Sequence, residues 1–469
     1  MSIPFTQLNK LYIDGAWVSA NGPTEAVLNP ATEEVIGQAP VGDTASADAA
    51  IDAARRAFDS GPWPWLSMAE RAGYMRRMHS ALVARREEIA ALIIAEVGCA
   101  QGVTYAMQVD MPLAHVLKAI DQSLHDATQQ IPVEATPNPF NPGGPMILGS
   151  GSIEREPIGV VSGITGYNFP FLLNLAKIFP ALLAGNTLVL KPSPFTPYSA
   201  LLFGEIAEQI GLPKGVLNIV TGGVEVGSLL SSDPRVDMVS FTGSEAVGVS
   251  IMSQAAPTLK RVHLELGGKS ALIVRPDADI QGTALGAIAG LTVNAGQGCA
   301  LLTRFLVHNS IREQFVQMAK AVASQMKIGN PADPSVVMGP LIRESQRAKV
   351  EHFGTSRCAT TSTSSRTSSS ATSSASVDGG RVRCSTRSRW SGARGSSSAS
   401  SRCACRPCAS PSGRSPAGSG RLSRSFAPST GSRASSSSTS RRRRSASPRR
   451  PRSSRSSSAC ATAATRSCS

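Results

Sequence analysis

The feature that most restricts the fold is a strict alternation of apolar segments and helical segments between residues 159 and 266. Apolar stretches such as GVVSGIT, TLVLK and VLNIV are separated by segments of helical periodicity, and the series ends with RVHLEL at 261–266. Strands that are apolar throughout and alternate with helices indicate a parallel sheet covered on both faces. We therefore predict an α/β fold whose ligands bind beyond the carboxyl ends of the strands.

Local sequence patterns predict further elements before residue 159 and after residue 266. LYIDGAWV at 11–18 predicts a hairpin around Asp-Gly, and residues 44–58 predict a helix. SMAE at 67–70 is a capping box that opens one long helix reaching Leu92. The Pro- and Gly-rich residues 131–158 predict a protruding hairpin. We predict a Rossmann-like domain at 1–265 and a second, partial α/β domain at 266–351, with strands near 270–274 and 304–308.

The composition changes abruptly near His352. The 47 Lys and Arg divide into 25 before His352 and 22 Arg from there on, against 31 and one acidic residues, so the net charge is −6 and then +21. Residues 352–469 contain no Ile, Met, Gln, Asn or Tyr and one Leu. So little apolar surface cannot offset the entropy of ordering, and we predict a disordered Arg/Ser-rich tail over 352–469.

Two interpretations of this tail remain open. SRRRRSASPRR could contact phosphates as part of an RNA-binding arm. GC-rich codons read in a shifted frame would give the same residue types and the same absences, and the lack of lysine favours this hypothesis.

The N-terminal part has the features of a soluble protein from a reducing compartment. Residues 1–351 contain two cysteines, Cys99 and Cys299. We find no signal-peptide pattern and no apolar run long enough to span a membrane, so a cytoplasmic location is expected.

Five motifs follow predicted strands, where an α/β sheet binds its ligands. They are YNFP at 167–170, KPSPFTP at 191–197, FTGS at 241–244, LELGGKS at 264–270 and NAGQGCALLTR at 294–304. Each has an ordinary explanation: Asn168 as a helix cap, Lys191 as a solvated charge, TGS as a turn, Glu265 as a turn residue and Cys299 as a small buried side chain. The GxGxxG dinucleotide fingerprint is absent.

Together the motifs supply the parts of one reaction. A cysteine among small residues can act as a nucleophile, and an asparagine amide can stabilise an oxyanion. A carboxylate can activate water, and a parallel sheet can hold a hydride acceptor.

In this order and spacing, the motifs resemble those of the aldehyde dehydrogenase superfamily over residues 9–351. The resemblance implies a catalytic role for three residues: Cys299 attacks the aldehyde, Asn168 and the Cys299 N–H hold the oxyanion, and Glu265 activates water on the thioester. It also implies NAD or NADP as the cofactor, no metal, and a homodimer or homotetramer assembled through the hairpin. Lys191 would contact the adenosine ribose, and Ser244 with Gly243 the pyrophosphate. The implied cofactor-binding residues are Lys191, Ser193, Gly222, Gly227, Phe241, Thr242, Gly243, Ser244, Leu266 and Gly267.

The chain also departs from the family pattern. Pro194 stands where a glutamate often favours NAD over NADP, and Tyr167 stands where tryptophan is common. The later Glu-Ile-Phe-Gly-Pro motif is not found in 352–469. We therefore expect an NAD(P)-dependent oxidation of a small aldehyde to an acid, with impaired activity. A catalytically inactive remnant is the second hypothesis, and an RNA-binding fusion is the third.

Overall fold

The computed structural model describes residue 7 and residues 9–125, 128–362, 376–378 and 381–383. Two compact units are distinguished, residues 1–372 and residues 373–469. In the described part of the second unit, a short antiparallel hairpin pairs Ser376–Asp378 with Arg381–Arg383. Everything else below concerns the first unit.

A seven-stranded sheet forms the centre of the first unit. The strands of that unit are β1 (Lys10–Ile13), β2 (Ala16–Ser19), β3 (Thr24–Leu28), β4 (Val35–Pro40), β5 (Gln129–Thr136), β6 (Ile147–Ile153), β7 (Val160–Ile164), β8 (Thr187–Lys191), β9 (Leu217–Ile219), β10 (Met238–Gly243), β11 (Arg261–Leu266), β12 (Ser270–Val274) and β13 (Leu302–Val307). The sheet order is β11-β10-β7-β8-β9-β1-β2, and the pairs from β11 to β9 are parallel. The predicted parallel α/β sheet is confirmed.

Twelve α-helices accompany these strands among the described residues. They are α1 (Thr44–Asp59), α2 (Met68–Ala84), α3 (Arg86–Val97), α4 (Gln101–Val103), α5 (Met111–Ser123), α6 (Pro170–Leu183), α7 (Tyr198–Gln209), α8 (Val224–Ser232), α9 (Glu245–Ala255), α10 (Ile280–Thr292), α11 (Arg312–Ser324) and α12 (Glu344–Ser362). A π-helical segment, Thr104–Asp110, lies between α4 and α5. The larger core contains side chains of α2, α3, α5, α6 and α7, and a second core contains those of α1, α8 and α9. The two faces of the sheet are therefore both covered.

The sequence pattern predicts one long helix from residue 67. This prediction is wrong, because the helix is interrupted at Arg85. The capping box at Ser67 and Glu70 is present, but α2 ends at Ala84 and α3 begins at Arg86. The Arg85 backbone is not helical, and its guanidinium pairs with Glu88 and, at 2.8 Å, with Glu205 of α7. The Arg85 side chain thus joins the start of α3 to α7, 120 residues later in the chain.

The second α/β region is smaller and less covered. β12 and β13 form a two-stranded parallel sheet, and α10 and α11 pack against it in a small core that includes Val274 and Phe315. The hairpin predicted near 131–158 is formed by β5 and β6, and each of their residues is exposed. The domain boundaries at residues 265/266 and 351 remain predictions.

The region around residue 352 differs in detail from the expectation. Helix α12 continues from Glu344 to Ser362 and so crosses the predicted start of the tail. Most of the predicted disordered tail, 363–375, 379–380 and 384–469, lies outside the described residues. No helix in the part of the chain that the structure describes has the length and apolar character needed to cross a membrane.

Candidate active site

The strand order reverses between β7 and β10. From β7 the chain moves outward through β8 and β9, and it then returns to place β10 and β11 on the other side of β7. Such a reversal opens a crevice at the carboxyl ends of the two central strands. The segments at the ends of β7 and β10 approach each other there, since a Cβ built on Gly166 would lie 3.5 Å from the Thr242 carbonyl oxygen.

Asn168 lies at this crevice and does not cap the following helix. The N-cap of α6 is Phe169, and no side chain caps that helix. The Asn168 Nδ2 instead donates a 2.7 Å hydrogen bond to the backbone oxygen of Gln297. This bond joins the first strand-end motif to the segment that carries the cysteine, 129 residues later.

Cys299 is the accessible thiol of the two described cysteines. Cys299 is exposed, whereas Cys99 is buried and its burial raises the pKa of its thiol. The Cys299 carbonyl oxygen lies 3.2 Å from where a Cβ on Gly268 would be placed. The cysteine loop is therefore bounded by Asn168 on one side and by the LELGG segment on the other, and the buried-cysteine explanation does not hold for Cys299.

Glu265 lies in β11, one residue before the strand ends, and its side chain is exposed. Its Oε1 is 3.3 Å from His263 Nε2, because residues two apart in a strand share a face. His263 Nδ1 is in turn 3.3 Å from Ser240 Oγ, which accepts a 3.0 Å hydrogen bond from Lys177 Nζ. Burial lowers the pKa of Lys177 to about 8, and the charge of Glu265 opposes this shift. A polar chain thus runs from the carboxylate into the sheet.

Lys191 ends β8 as a buried ammonium group and not as a solvated one. The residue is 5% exposed, and burial lowers its pKa to about 8. Within the described residues its Nζ makes one hydrogen bond, at 3.2 Å to the Pro192 carbonyl oxygen, which leaves donors free for a ligand. The Lys191 Cε atom would lie 3.9 Å from a Cβ built on Gly227.

Three glycines that follow β9 and β11 lie where the backbone is closely packed or open. Gly222 has φ +131° and lies so close to Gly42 that a Cβ would meet the Gly42 oxygen at 2.6 Å. Apart from the adjacent residues, no atom of the described part of the chain lies within 4 Å of a Cβ built on Gly223 or on Gly267, so both backbones face open space. Such surfaces allow the close approach of a nucleotide.

The FTGS motif ends β10 and begins α9. Ser244 is the N-cap of that helix and its side chain accepts from Val247 N, so the turn explanation is correct for this residue. The helix N-terminus also offers amides to an anion. Phe241 and Thr242 are buried, the Phe241 ring packs against Gly243, and Thr242 Oγ1 has no partner among the described residues. Leu266 packs against Gly248, and Ser193 Oγ accepts from Phe195 N.

The sequence did not single out several residues of this site. Contacts to its members or to one another are made by Gln108, Lys177, Ser240, His263 and Asn294, and all of these contacts except the His263–Glu265 pair join distant segments. His263 could have been found from its spacing to Glu265 in a strand. Gln108, Lys177 and Ser240 carry no local signal, and Asn294 carries one weak signal, the glycine two residues later.

Comparisons with known proteins show which family this chain is similar to. Residues 17–366 match the aldehyde dehydrogenase family. The chain is 38% identical over 354 residues to lactaldehyde dehydrogenase of Escherichia coli, covering 75% of this chain and 71% of that protein. It is 38% identical to glutarate-semialdehyde dehydrogenase of Pseudomonas aeruginosa, with 72% and 68% covered.

Solved structures give the same result. Aldehyde dehydrogenase C of Pseudomonas syringae, solved as a cysteine-to-alanine mutant with NAD+ and octanal, is 37% identical with a TM-score of 0.67, covering 73% of this chain and 68% of that one. Betaine aldehyde dehydrogenase of Staphylococcus aureus, solved with NAD+, is 35% identical with a TM-score of 0.69, and 74% and 66% are covered. The family match and these relatives together establish that the chain belongs to the aldehyde dehydrogenase family of oxidoreductases.

Proposed function

We propose that this chain carries the site of an NAD(P)-dependent dehydrogenase that oxidises an aldehyde to a carboxylic acid through Cys299. The observation that supports it most is the 2.7 Å bond from the Asn168 amide to the Gln297 carbonyl. This bond joins the amide of Asn168, the proposed oxyanion donor, to the segment that precedes the one exposed thiol among the two described cysteines.

In the first step the Cys299 thiolate sulfur bonds to the aldehyde carbon, and the carbonyl oxygen takes the electron pair of the broken π bond. The second Nδ2 hydrogen of Asn168 and the Cys299 backbone N–H are the donors for this oxyanion. Bound NAD(P)+ would supply the hydride acceptor. As the carbon releases the hydride, the oxyanion electron pair re-forms the carbonyl, which leaves a thioester on Cys299.

In the second step Glu265 takes a proton from water while the water oxygen bonds to the thioester carbon. The carbon–sulfur bond then breaks, the acid leaves and the Cys299 thiolate is restored. His263, 3.3 Å from Glu265, is placed to accept a hydrogen bond or a proton from that carboxyl group.

The residues present fit a dinucleotide. The buried Lys191 has unused donors, Gly223 and Gly267 face open space, and Ser244 begins an 11-residue helix whose first amides can bind a phosphate. The remaining contacts are assigned to Ser193, Gly222, Gly227, Phe241, Thr242, Gly243 and Leu266. We favour NAD because relatives of similar structure were solved with NAD+, while Pro194 leaves NADP possible.

The test is production of NADH from short aldehydes, followed by absorbance. Cys299→Ser should lower the rate by at least about 1,000-fold, as removal of a nucleophile does. Cys99→Ala is the matched control, since Cys99 is the buried thiol of the two described cysteines, and it should stay within about threefold of the parent in folded protein. Equal rates in the parent and in Cys299→Ser would overturn the proposal.

A nucleotide-binding protein without turnover is the second candidate. It is favoured by the apolar side chains of Ile273, Leu285 and Leu306, which stay exposed in the second α/β region. Its signature is NAD binding in calorimetry, lost on Lys191→Met, with no NADH produced in any variant. NADH production that depends on Cys299 would exclude it.

We also propose that two or four copies assemble through the β5–β6 hairpin. Val133, Phe140 and Leu148 are exposed apolar side chains on this hairpin, which supports burial against another copy. Light scattering should give a dimer or tetramer, and Val133→Lys with Leu148→Lys should give monomers. The free thiols Cys99 and Cys299 support a reducing, cytoplasmic environment.

A further inference from the structure

We propose that Asn294 is a positioning residue that fixes the direction of the Asn168 amide and the conformation of the loop before Cys299. The kinetic part of this inference rests on the proposed function. The structural part rests only on the contacts of residues 168, 294 and 297.

The segment before the cysteine has an unusual backbone. Asn294 has φ 49° and ψ 46°, Ala295 has φ 54° and ψ 32°, and Gly296 follows with φ 78°. Three successive residues thus lie in the left-handed region, where asparagine and glycine are tolerated and alanine is strained. Such a conformation persists only where surrounding contacts hold it, and it is most often found at functional sites.

A closed circuit of amide hydrogen bonds supplies those contacts. Asn294 Nδ2 donates to the Asn168 backbone oxygen at 2.7 Å, and Asn168 Nδ2 donates to the Gln297 backbone oxygen at 2.7 Å. Gln297 closes the circuit, because both its backbone N and its Nε2 donate to the Asn294 backbone oxygen at 3.1 Å. The loop therefore cannot shift without breaking the bond that orients Asn168.

This circuit determines where the free hydrogen of Asn168 points. A carboxamide is planar and its nitrogen carries two hydrogens, so fixing one on the Gln297 oxygen fixes the direction of the other. Gln108 Nε2 also donates to the Asn168 backbone oxygen, at 3.2 Å. The Asn168 carbonyl thus accepts from two side-chain amides, which restrains its backbone as well as its side chain.

The burial of Asn294 shows that its amide serves the Asn168 contact. Asn294 is 3% exposed, and its Oδ1 is buried with no partner among the described residues. An unpaired buried oxygen costs stability, and a glycine would adopt the same backbone without that cost. Exchanging the amide oxygen and nitrogen would set two acceptors against each other at 2.7 Å, so the donor must face Asn168.

The first test uses variants that separate the backbone from the amide. Asn294→Gly keeps the left-handed conformation and removes the donor, whereas Asn294→Asp keeps the shape and replaces the donor with an acceptor. Each should lower kcat by about 10- to 100-fold, since a misdirected oxyanion donor loses part of the 100- to 1,000-fold that such donors contribute. The aldehyde KM and the dissociation constant of NAD should stay within about threefold.

A double-mutant cycle distinguishes positioning from general damage. If Asn294 acts through Asn168, Asn294→Asp should cause less than about a twofold further loss in an Asn168→Ala background. An equal loss in both backgrounds would overturn the proposal. Should Asn294→Asp fail to fold, Asn294→Gly carries the same comparison.

A second readout does not depend on turnover. Hydrogen exchange of the peptide 293–299 should be faster in Asn294→Gly, in Asn294→Asp and also in Asn168→Ala, while the peptide 160–164 of β7 stays unchanged. Unchanged exchange of 293–299 in all three variants would refute the circuit. If the parent enzyme makes no NADH but these exchange changes occur, the proposed function fails and the positioning role stands.

Discussion

The chain has two parallel-sheet regions built from the same alternation, and they differ in how completely their apolar side chains are covered. Every residue of β7 and β8 is buried, whereas β12 and β13 alternate between covered and exposed residues. Leu272 and Val274 pack against α10 and α11, while Ile273 is 71% exposed. An apolar segment therefore predicts a strand, but burial on both faces depends on helices that the segment itself does not encode.

The largest expected effect compares one leucine from each region. Leu190 in β8 is 0% exposed and Leu306 in β13 is 49% exposed. Leu190→Ala should lower the free energy of unfolding by about 2–5 kcal/mol, because it leaves a cavity in a packed core. Leu306→Ala should lower it by less than about 1 kcal/mol. Urea denaturation followed by circular dichroism measures both, and similar losses would mean that β13 is covered as fully as β8.

The second expected effect is a pH dependence of the free energy of unfolding, and it arises only in the region around the central sheet. Glu96 is fully buried, and its carboxylate accepts hydrogen bonds from the Tyr198 and Ser199 backbone nitrogens at 2.7 and 3.1 Å. Burial raises the pKa of Glu96 to about 7, against these bonds. No titratable side chain of residues 270–351, all of which the structure describes, is buried.

The sign follows from the raised pKa of Glu96. The folded state holds this proton more tightly than the unfolded state, so the stabilisation is complete below about pH 4.5 and is lost as the pH rises through 7. The loss amounts to about 3 kcal/mol by the usual conversion. Unfolding measured from pH 4.5 to 8 in the parent and in Glu96→Gln should show this slope in the parent only. Parallel profiles would show that Glu96 is already ionised at pH 5.

The same contrast explains what could be predicted from the sequence. The Asp-Gly hairpin of β1 and β2, the capping box of α2 and the strands from β7 to β11 all depend on neighbours within a few residues, and each was predicted. The break at Arg85 has no adjacent Gly or Pro to signal it, and the contact of Arg85 with Glu205 joins residues 120 apart. A local pattern cannot report such a contact.

The residues of the candidate site also fall into those that local motifs identify and those that only distant contacts reveal. Motifs at strand ends identified Asn168, Lys191, Glu265 and Cys299 as candidates, because parallel strands bring their ends to one edge of the sheet. The hydrogen bonds of Asn294, which joins residues 126 apart, could not be predicted from spacing. Its left-handed conformation had one weak signal, an asparagine followed within two residues by glycine.

The smallest effect compares two helix caps of the same residue type. Asp43 caps α1 by accepting from Ser46 N at 2.8 Å, and Asp279 caps α10 by accepting from Gln281 N and Gly282 N at 3.1 and 3.2 Å. Either change to alanine should cost about 1 kcal/mol of helix stability. The set of residues whose hydrogen exchange accelerates should differ between the two variants. Helix α1 belongs to the core around the central sheet, whereas α10 belongs to a small, partly uncovered core.

Hydrogen exchange tests this difference for each cap. Asp43→Ala should accelerate exchange throughout the central sheet in proportion to the lost global stability, since α1 unfolds with that core. Asp279→Ala should accelerate exchange in α10, α11, β12 and β13, and should leave β7 and β8 within about twofold of the parent. If Asp279→Ala accelerates β7 and β8 as strongly as α10, the two sheets unfold as one cooperative unit. Their unequal covering would then have no consequence for how the protein opens.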